Sequence, residues 1–183
     1  MHIEWDWKKR PIFRDMLADR LLQPSDPRDL SVLKGMLANC TKISAVTAAG
    51  KLLDEGFAKV ADNAILCALS SPTADVRVQA ARLASQNHLL WPALVDKLDD
   101  SEPTVQLAAL KAIKELGEKR KFEAVEQRYR RTRYSTVSLA AAKTLKSLDQ
   151  KRAQQVFEKA VAAKAGYVTI YGAAMLLTIN RKK

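Results

Sequence analysis

The chain has 183 residues, 48% of them apolar and 6% aromatic, with six glycines and six prolines. That is too apolar for a disordered chain, and the abundance of Ala, Leu, Lys, Glu and Gln predicts a helical protein with almost no β-structure. Its net charge of +11 is lopsided: residues 1–92 carry 12 basic and 10 acidic side chains, residues 93–183 carry 19 and 10, and Lys119 to Arg152 alone holds 11 against 3, which points to an acidic partner.

The first segment, with Trp5, Trp7, Ile12, Phe13, Leu17, Leu21 and Leu22, has apolar residues four apart and reads as a short helix ended before Gln23-Pro-Ser-Asp-Pro27. It is expected to cover the exposed face of the helices after residue 27, giving an N-terminal helical cap over residues 1–26. Its charged, aromatic start does not read as a secretory leader. The longest mostly apolar stretch, Val168 to Ile179, is 12 residues against about 20 for a membrane span. A cytoplasmic protein with no membrane partner is expected.

From residue 27 onward the chain repeats itself. Val76-Arg-Val-Gln-Ala-Ala-Arg82, Val105-Gln-Leu-Ala-Ala-Leu-Lys111, Val137-Ser-Leu-Ala-Ala-Ala-Lys143 and Val168-Thr-Ile-Tyr-Gly-Ala-Ala174 superpose, their valines 29, 32 and 31 residues apart, and Ala45 to Lys51 extends the series backwards by 31. Such a period means stacked units rather than one closed core. Each unit reads as two helices joined by a polar turn. The first runs from Pro27 or Arg28 to about Gly56, with Leu33 and Leu37 facing the core. The second has a helix over Ala58 to Ser70, a break at Ser71-Pro-Thr-Ala-Asp75, and a helix from Val76 to Gln86 with Asp75 as its N-cap. The third places Pro92 in a first turn, Leu94 and Leu98 on an apolar face and Ser101-Glu-Pro-Thr104 as the break. Thr104 and Thr136 take the cap position of Asp75.

Columns of like residues emerge from the alignment. Ile65, Leu94, Val125 and Val156 form one first-helix core column, and Leu69, Leu98, Tyr129 and Ala160 the next. Ala49, Ala80, Ala109, Ala141 and Gly172 form a column of small residues that lets helices approach closely. Cys40 and Cys67 fall near helix faces or ends and read as buried reduced thiols. With His2 and His88 scattered, no metal site is expected.

These residues resemble a known family, the short bacterial type of HEAT-like repeat also found in phycocyanobilin lyase subunits. Asp75, Val76 and Arg77 followed by Ala80 and Ala81 carry the likeness, as do Asp100 through Ala109 with Leu116 and Gly117. It covers roughly residues 27 to 178 and implies an all-α, right-handed α-solenoid of about five helix pairs, so that residues 27–183 are expected to form the repeat array. In the family the Asp and Arg bridge successive repeats. Gln106, Ser138 and Thr169 replace Arg77 here, which predicts a less regular stack in the later units.

Lys51, Arg82, Lys111 and Lys143 form a basic column on the second helices, broken by Ala174, and a helical wheel puts it on the solvent side. The resemblance implies that second helices line a concave surface, where Lys114 and Lys146 add a second row. A second cluster, Lys119-Arg-Lys121 and Arg128 to Tyr134, brackets the first helix of unit four; Arg130, Arg131, Arg133 and Tyr134 could meet phosphates or a base, although cations also suit a helix C-terminus. The chain therefore reads as a non-enzymatic interaction module whose basic surface receives an acidic protein or nucleic acid. A glycosylase-type enzyme acting on nucleic acid is the alternative, since HEAT-like enzymes of that kind use a basic groove, but Asp54 is the nearest acidic candidate on a second helix and Trp91 belongs to a first helix. A lyase or chaperone-like subunit would rest on fold likeness alone. Nucleotide-binding and hydrolase motifs are absent from the sequence, and no cofactor is expected.

Overall fold

The computed structural model describes Gln23, residues 25–164 and residues 166–180. The cap expected over residues 1–26 lies outside the described residues except for its last positions, and so does the Arg181 to Lys183 tail. Among the described residues there are ten α-helices and no strand, so the all-α expectation and the five helix pairs both stand. The chain divides between Leu83 and Ala84 into two compact units.

In the first unit, α1 (Pro27–Met36) starts on Asp26, whose carboxylate accepts the Arg28 N–H at 2.8 Å, with Pro27 in the first turn where no N–H is needed. Leu33 and Met36 are buried, whereas Leu37, expected in the core, is half-buried in the adjoining 3-10 turn. Helix α2 (Ile43–Asp54) buries Ala45, Val46, Ala48, Ala49 and Leu52. Gly56, at φ +86°, makes the reversal into α3 (Ala58–Ala68), a backbone conformation that costs a residue with a Cβ. Helix α4 (Ala74–Ala84) comes next.

Cys40 and Cys67 correct the expectation of reduced thiols. They sit at the ends of neighbouring first helices with their Cα atoms 5.8 Å apart and are joined as a disulfide. Cys67 is exposed and Cys40 half-buried, because the last turn of α3 carries Cys67 on its outer side while Ile65 and Ala68 take the core. A helical period fitted over so short a helix does not separate these neighbouring faces.

The second unit stacks three pairs. Helix α5 (Trp91–Asp96) is flanked by 3-10 turns and pairs with α6 (Pro103–Leu116); α7 (Phe122–Arg131) and α8 (Ser135–Leu148) form the next pair, α9 (Gln150–Ala162) and α10 (Gly166–Asn180) the last. Both first-helix columns are interior: Ile65, Leu94 and Val125 are fully buried and Val156 nearly so, as are Leu69, Leu98, Tyr129 and Ala160. Each large aliphatic side chain so buried contributes about 2 kcal/mol. Ala49, Ala80, Ala109, Ala141 and Gly172 are buried as well.

The cap expectation needs correction. Helices α4, α6 and α8 start at Ala74, Pro103 and Ser135, so Asp75, Thr104 and Thr136 each lie one residue inside the helix. Glu102 and Tyr134 hold the N-cap positions of α6 and α8 without a side-chain hydrogen bond. Proline at the first helical position accounts for α6: its ring presets the helical φ and removes one unpaired N–H. Asp75 still favours its helix, as a carboxylate in the first turn.

Where Gln106 replaces the arginine, a comparable bond is kept. Arg77 is buried and donates to the Ser71 and Pro72 carbonyls at 2.8 and 3.1 Å. Gln106 makes the equivalent bond six residues back, its Nε2 donating to the Asp100 carbonyl at 2.5 Å. A bridge between repeats comes from Arg128 on α7, which donates to Gln106 Oε1 at 2.6 Å and to Asp99 at 3.2 Å. At the same junction, Thr144 donates to the Leu110 carbonyl at 3.3 Å, tying α8 to α6.

Candidate functional site

Second helices α6, α8 and α10 lie side by side in the second unit, and the C-terminal halves of all three border one hollow of about 410 Å³. Three of its lining residues are Lys114, Lys143 and Lys146, which helical spacing assigns to two adjacent rows on the solvent side. The remaining wall is Ser147 and Gln150 on one side and Met175 and Thr178 of α10 on the other, with no Asp or Glu among them. Lys146 donates to Thr178 Oγ1 at 2.7 Å, and Thr178 in turn donates to the Met175 carbonyl at 2.8 Å. Lys114 and Lys143 are exposed and have no ion-pair partner among the described residues. Three ammonium groups over a partly apolar floor with no counter-charge in its wall can hold carboxylates or phosphates, whose attraction is strengthened by the poorly polarisable surroundings.

Other members of the basic set stand elsewhere. Lys111 is exposed and pairs with Glu115 one turn along α6 at 3.8 Å. Lys51, half-buried, and Arg82, exposed with Gln79 Oε1 at 3.5 Å, belong to the first unit. At the far end of α8, about 18 Å from Lys146 by helical rise, lies the second patch. There Arg130 is held by Glu126 at 2.8 Å, while Arg131, Arg133 and the Tyr134 ring are exposed. The ten candidate residues are therefore not one cluster.

Two members of the wider basic cluster are taken up by structure. Lys121 is 3% exposed, its ammonium over the Trp91 ring and 3.4 Å from Glu118. Arg128 is committed to Gln106 and Asp99. Glu118 also faces His88 Nδ1 at 3.4 Å. Partial burial works to raise the Glu118 pKa, but the hydrogen bonds and charges of Lys121 and His88 together hold it below the usual carboxylate value. Nearby, Arg152 stacks on the Phe122 ring at 4.2 Å and donates to Glu123 at 2.7 Å. That hydrogen bond is the main cause of a lowered Glu123 pKa, joined by the Glu123 backbone N–H.

Met175, Thr178, Ser147 and Gln150 escape a reading of the sequence. Thr178 lies four residues after Ala174, where the basic column stops, and that interruption is the signal that the far wall is neutral. A second hollow, of about 550 Å³ between α1 and α3, is larger and is lined by Leu37, Val60, Ala64 and the disulfide together with Lys34, Lys59 and Asn63. Its Lys34 lies over the Phe57 ring at 5.3 Å. No group of three or more metal-ligating side chains exists among the described residues, and none of their helices is long and apolar enough to cross a membrane.

A fold of consecutive helix pairs with laterally stacked second helices defines a helical repeat scaffold. Residues 91–178, nearly all of the second unit, match the family of HEAT repeats. No curated protein matches the chain.

Proposed function

We propose that this chain is a non-enzymatic scaffold whose hollow between α6, α8 and α10 receives the anionic groups of an acidic partner. The observation that carries the reading is the convergence of Lys114, Lys143 and Lys146 on one concave surface that no carboxylate lines. Lys51, Arg82 and Lys111 belong to the same reading as further contacts on second helices. The short bacterial type of HEAT-like repeat, the cytoplasmic setting, the division into a cap at 1–26 and an array at 27–183, and the right-handed coil are parts of the proposal as well.

Salt-dependent titration of a polyglutamate and of labelled single-stranded DNA tests it. Wild-type protein binds at low salt, and Lys114→Glu/Lys143→Glu/Lys146→Glu abolishes binding with helicity retained. Unchanged affinity in that variant would sink the reading. A nucleic-acid reading draws on the second patch, where Tyr134 is 44% exposed beside Arg133 and could stack on a base. If it is right, Arg131→Glu/Arg133→Glu removes DNA binding while the lysine variant keeps it.

A further inference from the structure

Helix α10 carries no charged residue over its 15 positions. A helix apolar all round is normally enclosed, yet Tyr167 is 52%, Ile170 59% and Leu177 63% exposed. At about 100° per residue, these three and Ala174 share one face, opposite the buried Val168, Gly172 and Ile179. Thr178 and Tyr171 come next around the helix, and Thr178 is the residue that borders the cationic hollow and accepts from Lys146. The apolar stripe and the three lysines therefore share an edge.

We propose that stripe and hollow together form one docking surface for an acidic amphipathic helix of a partner protein, with carboxylates over Lys114, Lys143 and Lys146 and an apolar row against Tyr167, Ile170 and Leu177. The inference rests on the cationic role proposed for the hollow and names the partner's chemistry. Charge complementarity selects the occupant. A second copy docking stripe to stripe would bring its own lysine hollow towards this one, setting like charges together. Nucleic acid would lay phosphates and sugars along an uncharged row that offers no side-chain donor beyond the Tyr167 hydroxyl. A membrane presents a flat surface, whereas the lysines line a concave one. The row from Tyr167 to Leu177 is about 15 Å long, the reach of three turns of helix, and helix-in-groove docking uses anchors at this spacing.

The test is an anisotropy titration of the full chain with a labelled peptide of about 15 residues, leucine at i, i+3, i+7 and i+10 and glutamate on the flanking row. Salt-sensitive binding is expected. It weakens roughly tenfold or more with Ile170→Gln/Leu177→Gln, which leaves every lysine in place, and likewise when the peptide is scrambled at constant composition. Equal affinity for the scrambled peptide, or no effect of the double substitution, overturns the inference while the cationic hollow stands. No binding of either peptide or of single-stranded DNA removes the underlying reading as well. Tighter binding of DNA than of the periodic peptide overturns the inference in favour of nucleic acid. Sedimentation showing a dimer that Ile170→Gln/Leu177→Gln dissolves overturns it in favour of a second copy.

Discussion

Tyr129 on α7 lies against Gly172 on α10: its hydroxyl would stand 3.1 Å from a Cβ placed on Gly172, and it donates to the Val168 carbonyl of the same helix at 2.5 Å. The ring is fully buried and meets Phe157 edge-on, with centroids 5.8 Å apart. Elsewhere the small-residue column holds alanine. Here the bulk of Tyr129 requires the last methyl to be removed.

Gly172→Ala is therefore expected to destabilise the fold by about 2 kcal/mol, although alanine is the better helix former by about 1 kcal/mol. The new methyl would also meet the Phe157 carbonyl at 3.3 Å, and backbone yields little. Tyr129→Phe should cost about 1 kcal/mol for the lost hydrogen bond. Because the hydroxyl is the nearer obstacle, the double variant should cost less than the sum, which urea denaturation of all four proteins measures. Gly35→Ala is the control of opposite sign: nothing lies within 4 Å of that position in α1, so it should stabilise.

Arg128→Ala should cost about 2 kcal/mol, since it strips a charge-assisted hydrogen bond from buried Gln106. Asp99→Ala should change stability by less than about 0.5 kcal/mol, because its side chain is 80% exposed and the ion pair is screened. Ser138, which aligns with Arg77 in the repeat, is fully buried with a hydroxyl that has no partner among the described residues. Ser138→Ala should be neutral or stabilising, as no hydrogen bond is lost and a desolvated hydroxyl is removed. Thermal melts of the three variants check the order, and a large loss in Ser138→Ala would contradict this account of the column.

Repeating positions were legible and exceptions were not. Ile65, Leu94, Val125 and Val156 could be placed in the core from spacing because every unit repeats the same burial. Lys114, Lys143 and Lys146 could be placed on one face for the same reason. Arg128 looked like one more cation in a run of them, since its partners, Asp99 and Gln106, are contributed by the preceding pair and only the stacking brings them near. Lys121 was equally misleading: a helical reading cannot foresee that a 3-10 turn tips its ammonium onto Trp91. Helix starts came out a residue or two late because Asp75 and Thr104 have the chemistry of caps, while proline and local turns set the actual boundary.

The Cys40 to Cys67 bridge spans 27 residues, and closing a loop of that size in the unfolded chain stabilises by about 3 kcal/mol. Protein purified without reductant and unfolded in guanidinium should show no thiol towards Ellman's reagent. Cys40→Ser/Cys67→Ser should unfold at a lower denaturant concentration than the oxidised protein, by an amount matching reduction of the wild type. Two thiols in the untreated protein would return these residues to the reduced state that composition suggested.

Acid should act first at the start of α7. The carboxyls of Glu118 and Glu123 are both held below the ordinary value of 4.5. Groups depressed in the folded state bind fewer protons there than when unfolded, so their stabilisation is present above pH 4.5 and is lost as pH falls through the lowered folded values. Urea midpoints measured through this range should drop, and Glu118→Gln should flatten the drop while lowering the midpoint at neutral pH, because buried Lys121 then keeps only the Trp91 face. At the alkaline end the sign is the other way about. Burial pushes the Tyr129 hydroxyl up to about 12, with the Arg130 charge opposing, so the folded chain keeps a proton that the unfolded chain releases near 10. Stability should therefore fall between pH 10 and 12, and absorbance titration of the four tyrosines should find one ionising last, the one missing from Tyr129→Phe. If that variant loses an ordinary tyrosine instead, the phenol is not enclosed between α7 and α10.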